Sequence, residues 1–235
     1  MQLRFFAIIL FLTAACGEEN GAKNSNEINS SSIHPYASYF YAFDTIVKVY
    51  QYRDVVHGMN EQYHRVFGIE DSEGKHIVVE RYTQEGRITE AYNYNLDSLN
   101  VMDHMVVNGF GENEKATLYK NDLFPFEKNK VVSFASKFSG FQDSTVLLME
   151  LDRKMTSNIV NKVLTDSISC IKIEEEAQYT ILNPFTKKEN RQALQSINYF
   201  AKGIGLVEWF DKDKRMHFVI EDIISQEKWI KLISE

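Results

Sequence analysis

The chain has 235 residues, of which 44% are hydrophobic and 13% aromatic, and its formal net charge is −7. This composition is too apolar for a wholly disordered protein, and the acidic balance argues against a nucleic-acid binder, which usually presents a basic patch. Two cysteines are too few for a disulfide-dense scaffold or a four-cysteine zinc site. One domain of about 200 residues fits the length.

Residues 1–15 predict a secretory signal peptide. Arg4 supplies a positive charge, and residues 5–12 form an uninterrupted apolar run. A membrane-spanning helix needs about 20 apolar residues, so this run is too short to remain as an anchor.

The end of the signal, Thr-Ala-Ala-Cys-Gly at residues 13–17, resembles the lipobox of bacterial lipoproteins. The resemblance implies that Cys16 is acylated with diacylglycerol and becomes the new N-terminus. Thr13 departs from the pattern, in which leucine is usual, and a plain secretory signal with a chance cysteine is the alternative. Residues 16–35 are predicted to be the lipidated cysteine and a flexible tether, because residues 17–33 are nearly devoid of apolar side chains.

Lipidation predicts an outer-membrane lipoprotein of the bacterial cell envelope, anchored to the membrane through its N-terminal lipid. Glu18 and Glu19 form a short version of the acidic surface-export stretch of Bacteroidetes lipoproteins, so the periplasmic and surface faces both stay open. The other cysteine, Cys170, lies in an alternating apolar run. This position predicts a small buried hydrophobe rather than a nucleophile, because no histidine lies near it in sequence.

Residues 36–235 are predicted to form a single β-rich domain, because β-branched and aromatic residues alternate with polar ones at a period of two. Helical spacing predicts a helix at 154–164, and a short C-terminal helix is a further candidate at 226–233. The acidic residues 174–176 predict a break in the strand around them. The predicted strands are 45–52, 62–69, 76–82, 87–94, 101–107, 116–120, 131–138, 145–151, 168–181, 196–201, 206–210 and 216–223.

The fold class that follows is mostly all-β, a large curved antiparallel meander with one or two short helices. A sheet of so many strands tends to curl, close or split, so a half-barrel or an open barrel is expected. The pattern lacks the strand–helix alternation of a parallel nucleotide-binding fold and the fixed repeat of a propeller.

Residues 198–209, Asn-Tyr-Phe-Ala-Lys-Gly-Ile-Gly-Leu-Val-Glu-Trp, are similar to a pattern in TapB-like periplasmic domains and Bacteroidetes lipoproteins. The resemblance covers 167–223 and implies a curved half-barrel like those of the LolA and LppX lipoprotein carriers, which hold acyl chains in an apolar concavity. From the residues alone, Gly203 and Gly205 indicate a bulge, a bend or a close backbone approach.

Candidate chemistry is sparse. Asp97, Asp103 and His104 form the densest polar cluster, although neighbours on a strand face opposite sides, so Asp103 and His104 are not expected to share a site. His57 and His64 flank a predicted hairpin. The catalytic motifs of serine hydrolases and zinc proteases do not occur, so neither a catalytic residue nor a metal ligand nor a cofactor is assigned.

The sequence therefore favours a non-enzymatic, lipid-anchored envelope protein that binds an acyl-type or other hydrophobic small molecule in a concave sheet. Such a protein is expected to have an open cavity with few polar groups. An assembly or interaction lipoprotein with a packed core and an envelope protein as partner is the alternative. A hydrolase or metal enzyme is the least favoured, and no nucleic-acid partner is expected.

Overall fold

The structure is a computed structural model and describes residues 34–58, 61–140 and 144–234, which belong to one compact unit, Ser32–Glu235. The described residues form thirteen strands and one α-helix, with a short 3-10 turn at Ala37–Tyr39. The strands are β1 (Lys48–Asp54), β2 (Glu61–Asp71), β3 (Gly74–Tyr82), β4 (Ile88–Asn95), β5 (Val101–Val107), β6 (Asn113–Lys115), β7 (Thr117–Asn121), β8 (Val131–Ser139), β9 (Val146–Val163), β10 (Asp166–Leu182), β11 (Glu189–Ala201), β12 (Gly205–Asp211) and β13 (His217–Ser225), and the helix is α1 (Gln226–Ser234).

All thirteen strands belong to one antiparallel sheet in which neighbours in the chain are neighbours in space. The first strand, β1, also pairs with the last, β13, so the order runs β6-β5-β4-β3-β2-β1-β13-β12-β11-β10-β9-β8-β7. The expectation of an antiparallel, mostly-β meander is confirmed.

The two edges of this sheet meet at the segment formed by β6 and β7, which only Ala116 separates. The first part pairs with β5, and Ala116 N–H continues that pairing by donating to the carbonyl of His104 at 2.8 Å. The second part pairs with β8. A bridge between Asn100 and Asp122 ties the end of β7 back to the start of β5. The sheet is therefore nearly closed into a barrel, with this segment as its seam.

The prediction of a helix at 154–164 is wrong, because these residues continue β9 and pair along their length with β10. Their helical spacing is coincidental, since the segment also contains β-branched Thr156, Ile159, Val160 and Val163, which suit a strand. The predicted break at the acidic residues 174–176 does not occur either: β10 is continuous there, and Glu175 points into the barrel, where a cation partners it. The C-terminal helix is present as α1.

One end of the barrel is closed by aromatic side chains, which we call the aromatic plug and define as Phe40, Tyr41, Tyr94, Phe124 and Phe200. Phe40 makes edge contacts with Tyr94 and Phe124 at centroid distances of 4.8 and 5.4 Å, and Phe124 contacts Phe200 at 5.1 Å. All five are buried. The segment that precedes β1 supplies Phe40 and Tyr41, so the chain seals this end before it enters the sheet.

A second, smaller core lies on the outer face of β1 and β2. There α1 covers Val49 and Tyr63 with Trp229, whose ring also contacts Tyr82 at 4.8 Å. In the part of the chain that the structure describes, no helix has the length and apolarity to cross a membrane.

Candidate functional site

A cavity of about 300 Å³ occupies the half of the barrel interior that the aromatic plug does not fill; we call it the interior cavity. Its lining includes Thr83 and Thr89, which flank the β3–β4 turn, and Met216, which lies just before β13. Thr89 and Met216 are exposed. Because these turns lie at the barrel end opposite the plug, the interior cavity opens there.

The wall of the interior cavity combines apolar and polar side chains in similar measure and comes mainly from alternate residues of the strands, since a period of two sends every second side chain inward. Trp209 stacks against Phe218 at a centroid distance of 4.8 Å and forms one side. Aliphatic residues of β9, β11 and β12 extend the apolar part, namely Met149, Leu151, Leu194 and Leu206, and the polar part includes Gln62, Ser196 and Asn198.

A first ion pair reaches into the interior cavity from β3 and β4. Arg81 Nη1 donates to Glu90 Oε1 at 2.5 Å, and the Tyr92 hydroxyl donates to Glu90 Oε2 at 2.8 Å. His104, fully buried, stacks on Tyr92 at 4.4 Å and places Nε2 3.5 Å from the same Glu90 oxygen. Its Nδ1 lies 3.1 Å from Ser136 Oγ, so the polar cluster also bridges the barrel seam.

The electrostatics of this cluster keep Glu90 charged. Burial by itself raises the pKa of the Glu90 carboxyl, but the Arg81 guanidinium, His104 and the Tyr92 hydroxyl outweigh burial and hold the pKa well below its usual range. The pKa of Arg81 is in turn raised, because the attraction of Glu90 exceeds the cost of burial. At neutral pH this pair is therefore fully ionised.

A second ion pair enters from β9 and β10. Arg153 Nε donates to Glu175 Oε2 at 2.5 Å and Arg153 Nη1 donates to the carbonyl of Leu123 at 3.1 Å. The Ser196 hydroxyl donates to the other carboxylate oxygen of Glu175 at 3.1 Å. Tyr179 is affected by the acidic members of both ion pairs. Burial, and then the negative charges of Glu90 and Glu175, raise the pKa of its phenol to about 12. The two ion pairs thus act on the same interior space.

His64 on β2 is the third polar feature. Its side chain is 1% exposed and stacks on Trp209 at 5.5 Å, and Nδ1 lies 3.3 Å from the Tyr41 hydroxyl. Burial, aided by the positive charge of Arg81, lowers the pKa of His64 well below its ordinary value, so the ring is neutral. Among the described residues, nothing bonds to its Nε2. His64 is therefore a neutral lining residue whose Nε2 is buried and unpaired among the described residues.

The residues singled out from sequence do not assemble into a site. Cys16 lies outside the described residues. Asp97 lies in the β4–β5 turn at the plugged end, and Asp103 forms an ion pair with Lys115 on the outer face while His104 points inward. Gly203 and Gly205 adopt φ values of +78° and +103° at the β11–β12 turn.

The other two sequence candidates have structural partners. His57 pairs with Asp54 at 2.7 Å in the β1–β2 turn and does not line the interior cavity. Cys170 is buried, as its alternating context predicts, and burial raises the pKa of its thiol. Within residues 34–58, 61–140 and 144–234, no cluster of three or more His, Cys, Asp or Glu side chains is suited to hold a metal ion.

The charged residues of the interior cavity were missed, although the sequence carries a signal for them. Arg81 shares the parity of the inward residues Ile77 and Val79 on β3, and Glu90 shares that of Tyr92 and Tyr94 on β4. A charge on the inward parity of a strand is unusual, because burial of an unpaired charge is costly. A charged residue at an inward position of a strand is therefore a candidate binding-site residue.

A scan against known protein families finds no match to this chain, and a search of curated proteins finds none either. Two solved structures are similar to it. A protein of Parabacteroides distasonis, provisionally described as a lipoprotein, aligns with 14% identity and a TM-score of 0.49 over 79% of this chain and 98% of its own. A Bacteroides fragilis protein, provisionally described as an exported protein with a YmcC-like fold, aligns with 12% identity and a TM-score of 0.46 over 79% and 99%. At this level of similarity neither identifies the site or its ligand.

Proposed function

We propose that this protein is a non-enzymatic, lipid-anchored protein of the bacterial cell envelope that holds a small amphiphilic molecule in the interior cavity. The observation that carries the proposal is the mixed chemistry of that cavity, which combines an aromatic and aliphatic wall with two ion pairs and an unpaired buried histidine nitrogen. Ligand pockets likewise combine an apolar wall with polar groups that orient the ligand, and in this cavity polar residues make up about half of the lining.

The envelope assignment rests on the N-terminal sequence. The signal-like residues 1–15 and the lipobox-like residues 13–17 support export and acylation at Cys16. Outer-membrane placement, and the likeness of residues 167–223 to TapB-like domains, stay predictions. A folded body on an acyl anchor suits a protein that meets amphiphiles at a membrane.

The size and polarity of the interior cavity refine the ligand class. About 300 Å³ corresponds to roughly ten water molecules at ~30 Å³ each, which suits a medium-length alkyl chain and a small head group. The two ion pairs make the cavity more polar than the acyl-binding concavity expected from the sequence. A purely hydrocarbon ligand would displace water from these charged groups without offering them hydrogen bonds, so an amphiphile is the better occupant.

The titration behaviour of the polar groups supports binding over catalysis. General acid–base catalysis works best with a group whose pKa lies near the working pH. Here the pKa of Glu90 is held low, which keeps it a carboxylate, and the pKa of His64 is lowered, which keeps it neutral. Both groups are thus fixed in one protonation state at neutral pH.

Native mass spectrometry of the gently purified full-length chain tests the proposal. Leu194 lies on the cavity wall, so Leu194→Phe should fill the space and abolish a co-purified small molecule; Leu148→Phe on the same sheet but facing outward is the matched control. A bound mass in the wild type and in Leu148→Phe, lost in Leu194→Phe, supports the proposal. An empty wild-type protein that also fails to bind added medium-chain amphiphiles overturns it.

A second candidate, an interaction lipoprotein, is favoured by a groove of about 520 Å³ on the outer face of β7 to β11. Tyr119 lies beside it and is 59% exposed, and Leu148 and Lys137 line its floor. Cross-linking in whole cells distinguishes the two functions, because a partner at this groove is lost with Tyr119→Glu while ligand binding in the barrel is unchanged.

A further inference from the structure

The carboxylates of the interior cavity already have their hydrogen-bond donors. Glu90 accepts from Arg81 Nη1 and the Tyr92 hydroxyl and has His104 Nε2 nearby, while Glu175 accepts from Arg153 and Ser196. Asp211, the third acidic group of the lining, accepts from the backbone N–H of Met216 at 2.9 Å and lies 3.4 Å from Arg215 Nε. Each acidic group of the lining therefore already has at least one donor within the chain.

The guanidinium groups of Arg81 and Arg153 have N–H donors that are not used within the described residues. Each carries five N–H donors. Among the described residues, Arg81 donates through Nη1 alone, and its buried Nε has no partner. Arg153 donates through Nε and Nη1, and the structure gives its Nη2 no acceptor among those residues. The Nη2 groups have no acceptor in the described part of the chain and can therefore donate to an acceptor supplied from outside it.

The buried residue His64 also belongs to the lining of this cavity. Its Nε2 is buried with no partner in the described part of the chain, and its Nδ1 lies 3.3 Å from the Tyr41 hydroxyl. A native protein rarely leaves a buried polar atom unpaired, and an absent ligand or water is a common reason. His64 and Arg81 both line the interior cavity, so its wall contains two side chains with an unpaired nitrogen among the described residues.

We propose that the ligand is a single-chain amphiphile with an anionic oxygen head group, a carboxylate or a phosphate monoester, held in the interior cavity by Arg81 with its chain against Trp209 and Leu151. This inference rests on the proposed function and specifies its ligand class. An oxyanion accepts from the spare guanidinium N–H groups in charge-assisted bonds, which are stronger than neutral ones. A cationic head group would instead face two guanidinium groups and carboxylates already in use.

A set of ligands with one chain length and different head groups tests the inference by calorimetry on the full-length protein. Decanoate and decyl phosphate are the anionic probes, decanol the neutral one and decyltrimethylammonium the cationic one. We expect an anionic probe to bind at least about tenfold more tightly than decanol, because charge-assisted hydrogen bonds are stronger than neutral ones. The stronger of the two anions identifies the head group.

Paired substitutions assign the effect to Arg81 without leaving a charge buried alone. Arg81→Gln with Glu90→Gln should lower the affinity for the anionic probe to that for decanol and leave decanol binding unchanged. The matched control is Arg65→Gln with Glu80→Gln, an ion pair of the same 2.5 Å distance between β2 and β3 that does not line the cavity. Circular dichroism checks that both variants fold.

The outcomes separate this inference from the proposed function. The head-group assignment is overturned if decanol or decyltrimethylammonium binds as tightly as the anions. It is also overturned if the double substitution of Arg81 and Glu90 leaves the affinity for the anionic probe unchanged. An amphiphile-binding function stands in both cases. If none of the four probes binds and the purified protein carries no small molecule, the proposed function fails with it.

Discussion

The two halves of the barrel interior are built from the same strands but differ in how completely they are packed. On β4, Tyr94 fills the aromatic plug while Glu90, four residues earlier on the same face, reaches the interior cavity. On β9, Met155 is fully buried near the plug and Met149 lines the cavity. In the plugged half the side chains pack against one another and stabilise the fold. The open half keeps unfilled space and polar groups with unused donors, and we assign these to ligand binding.

The largest effect should follow truncation in the aromatic plug. Phe124→Ala removes a buried ring that contacts Phe40 and Phe200, and a large-to-small change of this kind costs about 3–5 kcal/mol. The same truncation at the cavity wall, Leu194→Ala, should cost clearly less because the site is only partly packed. Urea unfolding of the two variants measures the difference, and equal losses would show that the two halves are equally packed.

Breaking an ion pair of the cavity should come next. Arg153→Met leaves Glu175 largely buried with only the Ser196 hydroxyl, and loss of one partner of a buried pair costs about 3 kcal/mol or more. The double change Arg153→Met with Glu175→Leu should recover most of that loss, because no charge is then left unpaired. Chemical denaturation of the single and double variants checks this; a double variant as unstable as the single one contradicts it.

The glycines at the β11–β12 turn sharpen the contrast in packing. A Cβ on Gly205, which has a φ of +103°, would lie 2.5 Å from the Tyr41 ring of the plug, whereas one on Gly203 meets nothing within 4 Å. Gly203→Ala therefore costs only the strain of a positive φ, about 1 kcal/mol, and Gly205→Ala adds overpacking for roughly 2–4 kcal/mol in total. Thermal unfolding should show a larger loss of stability for Gly205→Ala than for Gly203→Ala. The reverse order would contradict the close contact between Gly205 and the Tyr41 ring.

A pH dependence of stability from His64 is comparable in size to the glycine effects. Its pKa is lowered in the folded state, so below about pH 6.5 the unfolded chain binds a proton that the folded chain does not. The free energy of unfolding then falls by about 1.4 kcal/mol per pH unit for this group until the folded ring also protonates. His64→Asn should reduce the slope measured between pH 6.5 and 5. His34, whose pKa burial also lowers, contributes a separate share that His34→Asn should remove. An unchanged slope in both variants contradicts the assignment.

The fold class could be predicted from the sequence because alternation at a period of two persists through most of the chain. The helix expected at 154–164 was wrong because strand pairing with β10 decides the structure there, and a helical spacing of five apolar residues cannot reveal such pairing. The near-closure of the barrel depends on β6 and β7 meeting β5 and β8, which are contacts that no local pattern encodes.

The site was harder to predict than the fold. Its charged residues come from β3, β4, β9, β10 and β12, so no motif joins them in sequence, and they lie within ordinary strand patterns. The density of polar residues around Asp97, Asp103 and His104 predicts a cluster. In the structure His104 is instead buried beside Glu90, and Asp103 pairs with Lys115 on the outer face. Inward parity, rather than local density of polar residues, is the useful signal.

The central claim is that the open half of the barrel binds a ligand while the plugged half stays closed, and methyl NMR of methionine-labelled protein tests it most directly. Met149 lines the interior cavity, and Met155, on the same strand, is fully buried outside its lining. On titration with decanoate, the account predicts a saturable shift of the Met149 methyl signal and little change at Met155. An unmoved Met149 signal, or equal shifts at both methionines, would contradict the account.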